Sequence, residues 1–205
     1  MKQWLKIAAI LLVASLLFAG CGTLGKPLPE ETKEEAPPAP APAPEPVVVR
    51  TPVIGARQLE DGRMVGGTAK GRIGDDMINV FFSFSVDKAD LAHEYEGNAA
   101  ERGYVYLVAE LTLTNAFDGP LPIWSSDFLL QWGEGANDYG YPIDQISKMQ
   151  FDDAFSLARE ESLTKHAVYE VPVYEGKKEF VISYQEYYED GTEGNTFYII
   201  FDLSM

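Results

Sequence analysis

The sequence predicts an all-β fold, an antiparallel β-sandwich of about seven to eight strands, and three observations carry that expectation. From Met77 onwards, apolar residues recur at every second position, the period that lays one face of a strand on a core. Clusters of Asn, Asp, Gly and Pro interrupt these runs at short intervals, as turns do. The 3.6-residue spacing of a helix-rich fold is missing. Short half-buried strands joined by turns are best satisfied by two sheets packed face to face.

The chain begins differently. Met1 to Lys6 carries Lys2 and Lys6 and no acid, and Ile7 to Phe18 is an almost unbroken apolar run. These are the charged start and apolar centre of an export signal. A membrane-spanning helix needs about 20 apolar residues. This run is shorter and stops at Gly20, so residues 1–20 are expected to be removed. The only cysteine, Cys21, follows Leu16-Leu17-Phe18-Ala19-Gly20 directly. Small residues at 19 and 20 let an extended backbone enter a peptidase. A thiolate is the best side-chain nucleophile for taking up a lipid as a thioether. The stretch resembles the lipobox of bacterial lipoproteins, with Phe18 where that pattern prefers Leu. The resemblance implies a lipid on Cys21, membrane attachment through more than one acyl chain, and a place on the extracytoplasmic face of the cell membrane. A chain with one cysteine has no internal disulfide, which favours a Gram-positive type of envelope.

Residues 21–50 read as the lipidated cysteine and a disordered Pro/Ala/Glu-rich linker. Ala36 to Pro46 alternates proline with small residues. Proline removes amide donors and fixes φ, so extended polyproline II is favoured, at about 3.1 Å per residue. Residues 51–76 read as a flexible or edge-strand lead-in: Val47-Val48-Val49 and Val53-Ile54 are the candidate edge strand, and Gly62, Gly66, Gly67, Gly71 and Gly74 make the rest loop-like. Gly71-Arg72-Ile73-Gly74 lacks the spacing of a phosphate-binding loop.

The sandwich domain is assigned to residues 77–205. Ile78, Val80, Phe82, Phe84 and Val86 share one strand face, and a polar connection follows over Asp87 to Gly103. Val105, Leu107, Ala109, Leu111 and Leu113 form the next face, closed by the turn Asn115 to Pro120. Asp127 to Trp132 is a shorter strand and Tyr139 to Pro142 another. Ser147 to Glu161 is the one plausible helical or irregular insertion. Alternation resumes over Leu163 to Val171, then at Phe180, Ile182 and Tyr184, and last at Phe197, Ile199, Phe201 and Leu203. Glu189-Asp190-Gly191-Thr192 is a hairpin turn. With no disulfide, Trp124, Trp132 and the Phe and Tyr residues are expected to hold the sheets together.

Phe81-Phe82-Ser83-Phe84-Ser85-Val86, Leu111 to Asn115, Asp127 to Trp132, Tyr169 to Pro172 and Glu186 to Gly194 resemble an uncharacterised bacterial family of immunoglobulin-like domains found on lipoproteins. Its fold is shared with a secreted mycobacterial immunoprotective antigen. The resemblance covers roughly the last 130 residues. It implies an immunoglobulin-like fold and carries no reaction with it.

Charge narrows the function classes. The chain has 16 basic and 32 acidic residues. Residues 1–50 hold five of each sign, so residues 51–205 bear the whole net charge of −16. Phosphate contacts need a basic patch, so nucleic acid is not an expected partner. The mature chain has two histidines, His93 and His166, and no metalloprotease or serine-hydrolase motif. No catalytic residue, resident metal or cofactor is expected. Glu189, Asp190 and Glu193 are the loop acids best placed for calcium, which takes six to eight oxygens. Tyr187, Tyr188 and Trp124, with Tyr139, Tyr141 and Trp132, are candidates for an aromatic strip that contacts glycan or peptide.

The expected protein is a membrane-anchored, monomeric, non-enzymatic module that presents its domain to a protein or cell-wall component. The alternative is an extracytoplasmic sensor or carrier of a small ligand or a divalent cation such as calcium. A hydrolase using two facing carboxylates comes last.

Overall fold

Fifteen strands and one 3-10 turn occupy residues 51–205, the residues that the computed structural model describes. In chain order they are β1 (Arg57–Gln58), β2 (Met64–Val65), β3 (Thr68–Gly71), β4 (Met77–Ile78), β5 (Phe82–Ala92), β6 (Glu94–Tyr95), β7 (Asn98–Ala99), β8 (Tyr104–Asn115), β9 (Leu121–Trp124), the 3-10 turn (Ser125–Asp127), β10 (Phe128–Gln131), β11 (Tyr139–Gly140), β12 (Ala154–Leu157), β13 (Ser162–Pro172), β14 (Lys177–Tyr187) and β15 (Glu193–Ser204). The export signal over residues 1–20, the lipid site Cys21 and the spacer to residue 50 lie outside the described residues. No helix among those described is long and apolar enough to cross a membrane.

Two sheets form the sandwich. One has the order β13-β8-β5-β4, the other β11-β10-β14-β15-β3. In immunoglobulin terms β5, β8 and β13 stand as strands A, B and E, and β10, β14 and β15 as C, F and G. Alternation sets the register. Leu107, Leu111 and Leu113 of β8 turn inward and are fully buried, while Thr112 and Thr114 face out against Thr164 and Ser162 of β13.

The core between the sheets is aromatic. Phe82 and Phe84 of β5 meet Phe128 of β10 and Tyr184 of β14, with ring centroids 4.9–6.4 Å apart. Phe84 also reaches Phe197 of β15. Each such ring contributes about 1.5–3 kcal/mol by leaving water. Tyr169 of β13 is wholly buried, and its hydroxyl donates to the Phe128 carbonyl of the opposite sheet at 3.1 Å. That hydrogen bond and the ring cluster do the joining that a disulfide does in antibody domains. Trp132 belongs to this core. Trp124 does not: it is 49% exposed, because β9 lies outside both sheets and pairs only with β12.

The structure departs from the sequence-based expectations at several places. The two facing sheets contain nine strands rather than seven or eight, and six short strands pair outside them. The sandwich is not purely antiparallel: β3 runs parallel to β15, from Thr68 beside Thr196 to Gly71 beside Ile199. Residues 57–71 thus carry three short strands, and the edge strand of the sheet is Thr68–Gly71, with Ile54 making only a bridge to Thr68. β5 continues through Asp87 and Lys88 to Ala92, because a bulge at that point returns Ala89 to the interior. Ser147 to Glu161 holds no helix. Its apolar residues serve β12 and a pair of stacked rings, Phe151 and Phe155. Val80 leaves the strand face, because Asn79 turns the chain there and accepts hydrogen bonds from the amides of Phe81 and Phe82.

Candidate functional site: an aromatic groove at one end of the sandwich

A groove of about 520 Å³ opens where β5 starts, β14 ends and β9 passes. Its floor is the buried rim of the core, Phe82, Ile123 and Tyr184. One wall is a chain of three rings. Phe81 stands edge-on to Phe117 at 6.1 Å and to Tyr188 at 5.9 Å. Trp124 and Tyr187 also line the groove, and both rings are about half exposed. Large rings left in water at a concave place are unusual for an ordinary surface and mark contact sites.

Two buried polar side chains hold this ring chain in place. Asn115 ends β8 and is 1% exposed. Its amide nitrogen donates to the carbonyls of Gly119, Leu157 and Ala158, and its oxygen accepts from the Phe117 amide. The turn that carries Phe117 and Pro120 is thereby fixed to the loop after β12. At the other end of the ring chain Glu186 is fully buried at the bulge of β14. Its carboxylate accepts from the amides of Val80 (2.9 Å) and Asn195 (3.0 Å) and from the Asn195 side chain (3.1 Å). Asn195 in turn accepts from the Gly67 amide and donates to the Met64 carbonyl. Glu186 therefore holds Tyr187 and Tyr188 on one side and the segment bearing Phe81 on the other. Gly194 leaves the space for it: a Cβ there would collide with the Glu186 carboxylate.

The groove is acidic. Asp127 and Glu189 line it, and no Lys, Arg or His does. Burial pushes the Asp127 carboxyl above the usual carboxylate range, opposed in part by the Trp124 amide donating to it at 3.0 Å. Burial, with the nearby Asp127 and Glu186, drives the Tyr184 hydroxyl far up. Tyr188 is raised by burial and then by Glu186. Its hydroxyl donates to Met64, and the Arg63 guanidinium lies 4.9 Å from its ring centroid.

Of the residues singled out in the sequence, the structure brings Tyr187, Tyr188 and Trp124 together on this groove, with Glu189 beside them. Tyr139 and Tyr141 are an exposed pair at the β11 edge and are not among its lining residues. Trp132 is core, so one continuous strip does not form. The loop acids are not gathered. Asp190 faces Arg63, whose Nη1 lies 2.9 Å from both its oxygens, while Glu193 is exposed at the start of β15. No group of three His, Cys, Asp or Glu side chains suited to a metal ion occurs among the described residues. His93 is exposed, and His166 meets the Tyr95 hydroxyl at 2.9 Å.

Sequence reasoning missed Phe81, Phe117, Asn115 and Glu186. Phe81 sits at a polar-face position and Phe117 inside a turn, both places where a large ring is out of pattern, and that was the available signal. The roles of Asn115 and Glu186 depend on partners more than 40 and 100 residues away.

No family model matches the chain, and no curated protein does. Among solved structures it is similar to ycdA, a putative lipoprotein of Bacillus subtilis, with a TM-score of 0.46 and 13% identity; the match covers 63% of this chain and 38% of that one. It is also similar to the yjhA protein of Bacillus subtilis, with a TM-score of 0.43 and 20% identity over 56% of this chain and 81% of that one. An uncharacterised β-sandwich protein of Clostridium difficile gives a TM-score of 0.39 and 13% identity over 70% of this chain and 99% of that one.

Proposed function

We propose that the chain is a lipid-anchored extracytoplasmic binding module, and that the aromatic groove is its contact surface for a protein or cell-envelope component. One observation carries the reading: Trp124, Tyr187, Tyr188, Phe81 and Phe117 come from four separate stretches and converge on one open concavity. Rings of this kind, rigid and amphipathic, supply contact area at low entropic cost. Buried hydrogen bonds at Asn115 and Glu186 hold the segments that carry Phe117, Phe81, Tyr187 and Tyr188, which supports a surface formed before any partner arrives. Read as an export signal, a lipid site and a proline-rich spacer, residues 1–50 support a position for the groove outside the cell membrane. The work of such a module is recognition, without a chemical step.

The test is retention on cell-envelope fragments from the host bacterium. Trp124→Ala combined with Tyr187→Ala is expected to lower sedimentation with the fragments about tenfold, since two central aromatic anchors carry much of an interface's energy. Because both side chains are largely exposed, the thermal unfolding midpoint is expected to stay put. Undiminished retention by a folded double variant defeats the proposal.

A further inference from the structure

The groove's aromatic walls are matched by acids with no counter-charge. Asp127 and Glu189 line it, neither has an ion-pair partner among the described residues, and Glu186 lies behind Tyr188 with only N–H donors around it. Keeping a partly buried carboxylate without a cation is costly, and the raised Asp127 carboxyl reflects that cost. The same molecule shows how such a set is satisfied. On the far side of Tyr188, Arg63 lies against the ring while Asp61 and Asp190 hold its guanidinium at 2.8–2.9 Å. The groove holds the same ingredients, aromatic rings and two carboxylates among its lining residues, with no Lys, Arg or His.

We propose that the groove receives an arginine or lysine side chain presented by an extended segment of a partner protein, with its aliphatic stem against Trp124 and Tyr187 and its charge answered by Asp127 and Glu189. This deepens the reading of the groove as a contact surface and rests on it. A cation over aromatic faces gains from the ring quadrupole, and more so where water is partly excluded. A net charge of −16 on residues 51–205 adds long-range attraction for a basic segment. The volume of about 520 Å³ admits a few side chains rather than a folded domain.

The experiment uses the full chain in detergent and isothermal titration calorimetry. The probes are the peptide acetyl-Gly-Leu-Arg-Leu-Gly-amide, the same peptide with neutral citrulline for Arg, and a neutral N-acetylglucosamine tetramer. Citrulline keeps the shape and removes the charge. The arginine peptide is expected to bind about tenfold more tightly than the citrulline peptide, and more weakly as salt rises. Asp127→Asn is expected to erase most of that difference without lowering the unfolding midpoint. Equal affinity for the two peptides, or uptake of the sugar in preference, overturns the proposal. If no probe binds while the Trp124/Tyr187 double variant still loses envelope retention, the cation inference falls and the contact-surface reading stands. If the double variant also keeps full retention, both fall.

Discussion

Glu186 has no exposed surface and no basic partner, yet its two oxygens take three N–H donors, so its cost of burial is offset by hydrogen bonds. Glutamine has the same shape but carries donors where one of these oxygens must accept. Glu186→Gln is expected to lower stability by about 1–3 kcal/mol in urea denaturation. It should also loosen Tyr187 and Tyr188, seen as faster amide exchange at Gly194 and Asn195. Asp190 is a contrasting carboxylate. Hydrogen bonds from Thr192, then from Arg63, hold it down at about 2. A depressed folded value contributes stability above the ordinary carboxylate range, and that contribution is lost as the pH falls through about 2. Asp190→Asn is therefore expected to flatten the dependence of the unfolding midpoint on pH between about 4 and about 2, and to leave the slope near neutrality alone. An acid limb of unchanged slope would place the effect in other carboxylates.

At the level of elements, strand pairing explains why the groove sits where it does. β14 pairs with β15 along its length, and its bulge at Glu186 shifts the register so that Tyr187 stands in the last ladder pair, opposite Glu193, with its ring exposed. β9 is excluded from both sheets and carries Trp124 into water. The joint between the sheets is a separate matter. Tyr169 reaches from β13 to the Phe128 carbonyl of β10, next to the 3-10 turn that contains Asp127. Tyr169→Phe keeps the ring and deletes that bond. It is expected to cost about 1 kcal/mol, or somewhat more if the Phe128 carbonyl is left dry, measured by urea unfolding. A loss too small to measure would mean that packing alone joins the sheets there.

For the whole molecule, the two ends of the chain do different jobs in the proposed function. The start is read as an anchor and the rest as a domain to be displayed. Cys21→Ser is expected to move the protein out of the membrane fraction or leave it with residues 1–20 attached, as seen by cell fractionation and intact mass. A mature variant that still fractionates with membranes would sink the anchor. The acidic excess belongs entirely to residues 51–205, which suits the proposed export of this domain and a basic partner alike. The lead-in is integral to that domain. β3 adds to the sheet beside the last strand, and Gly67 there has no room for a Cβ between Val53, Ala56 and Asn195.

The sequence by itself determined the all-β class and most long strands, because alternation at period two is a local property that burial of one face enforces. Phe82, Phe84, Leu107, Leu111, Leu113, Ile182 and Ile199 stand in the core as their spacing requires. It also pointed to Tyr187, Tyr188 and Trp124 by residue type, without saying that they meet. Only the tertiary structure decided that. The groove needs the β14 bulge, the outlying β9 and the Asn115 turn in one place, and their positions are set by hydrogen bonds between residues far apart in the chain. The parallel β3–β15 pairing was equally hidden, since parallel and antiparallel neighbours leave similar alternation on an edge strand.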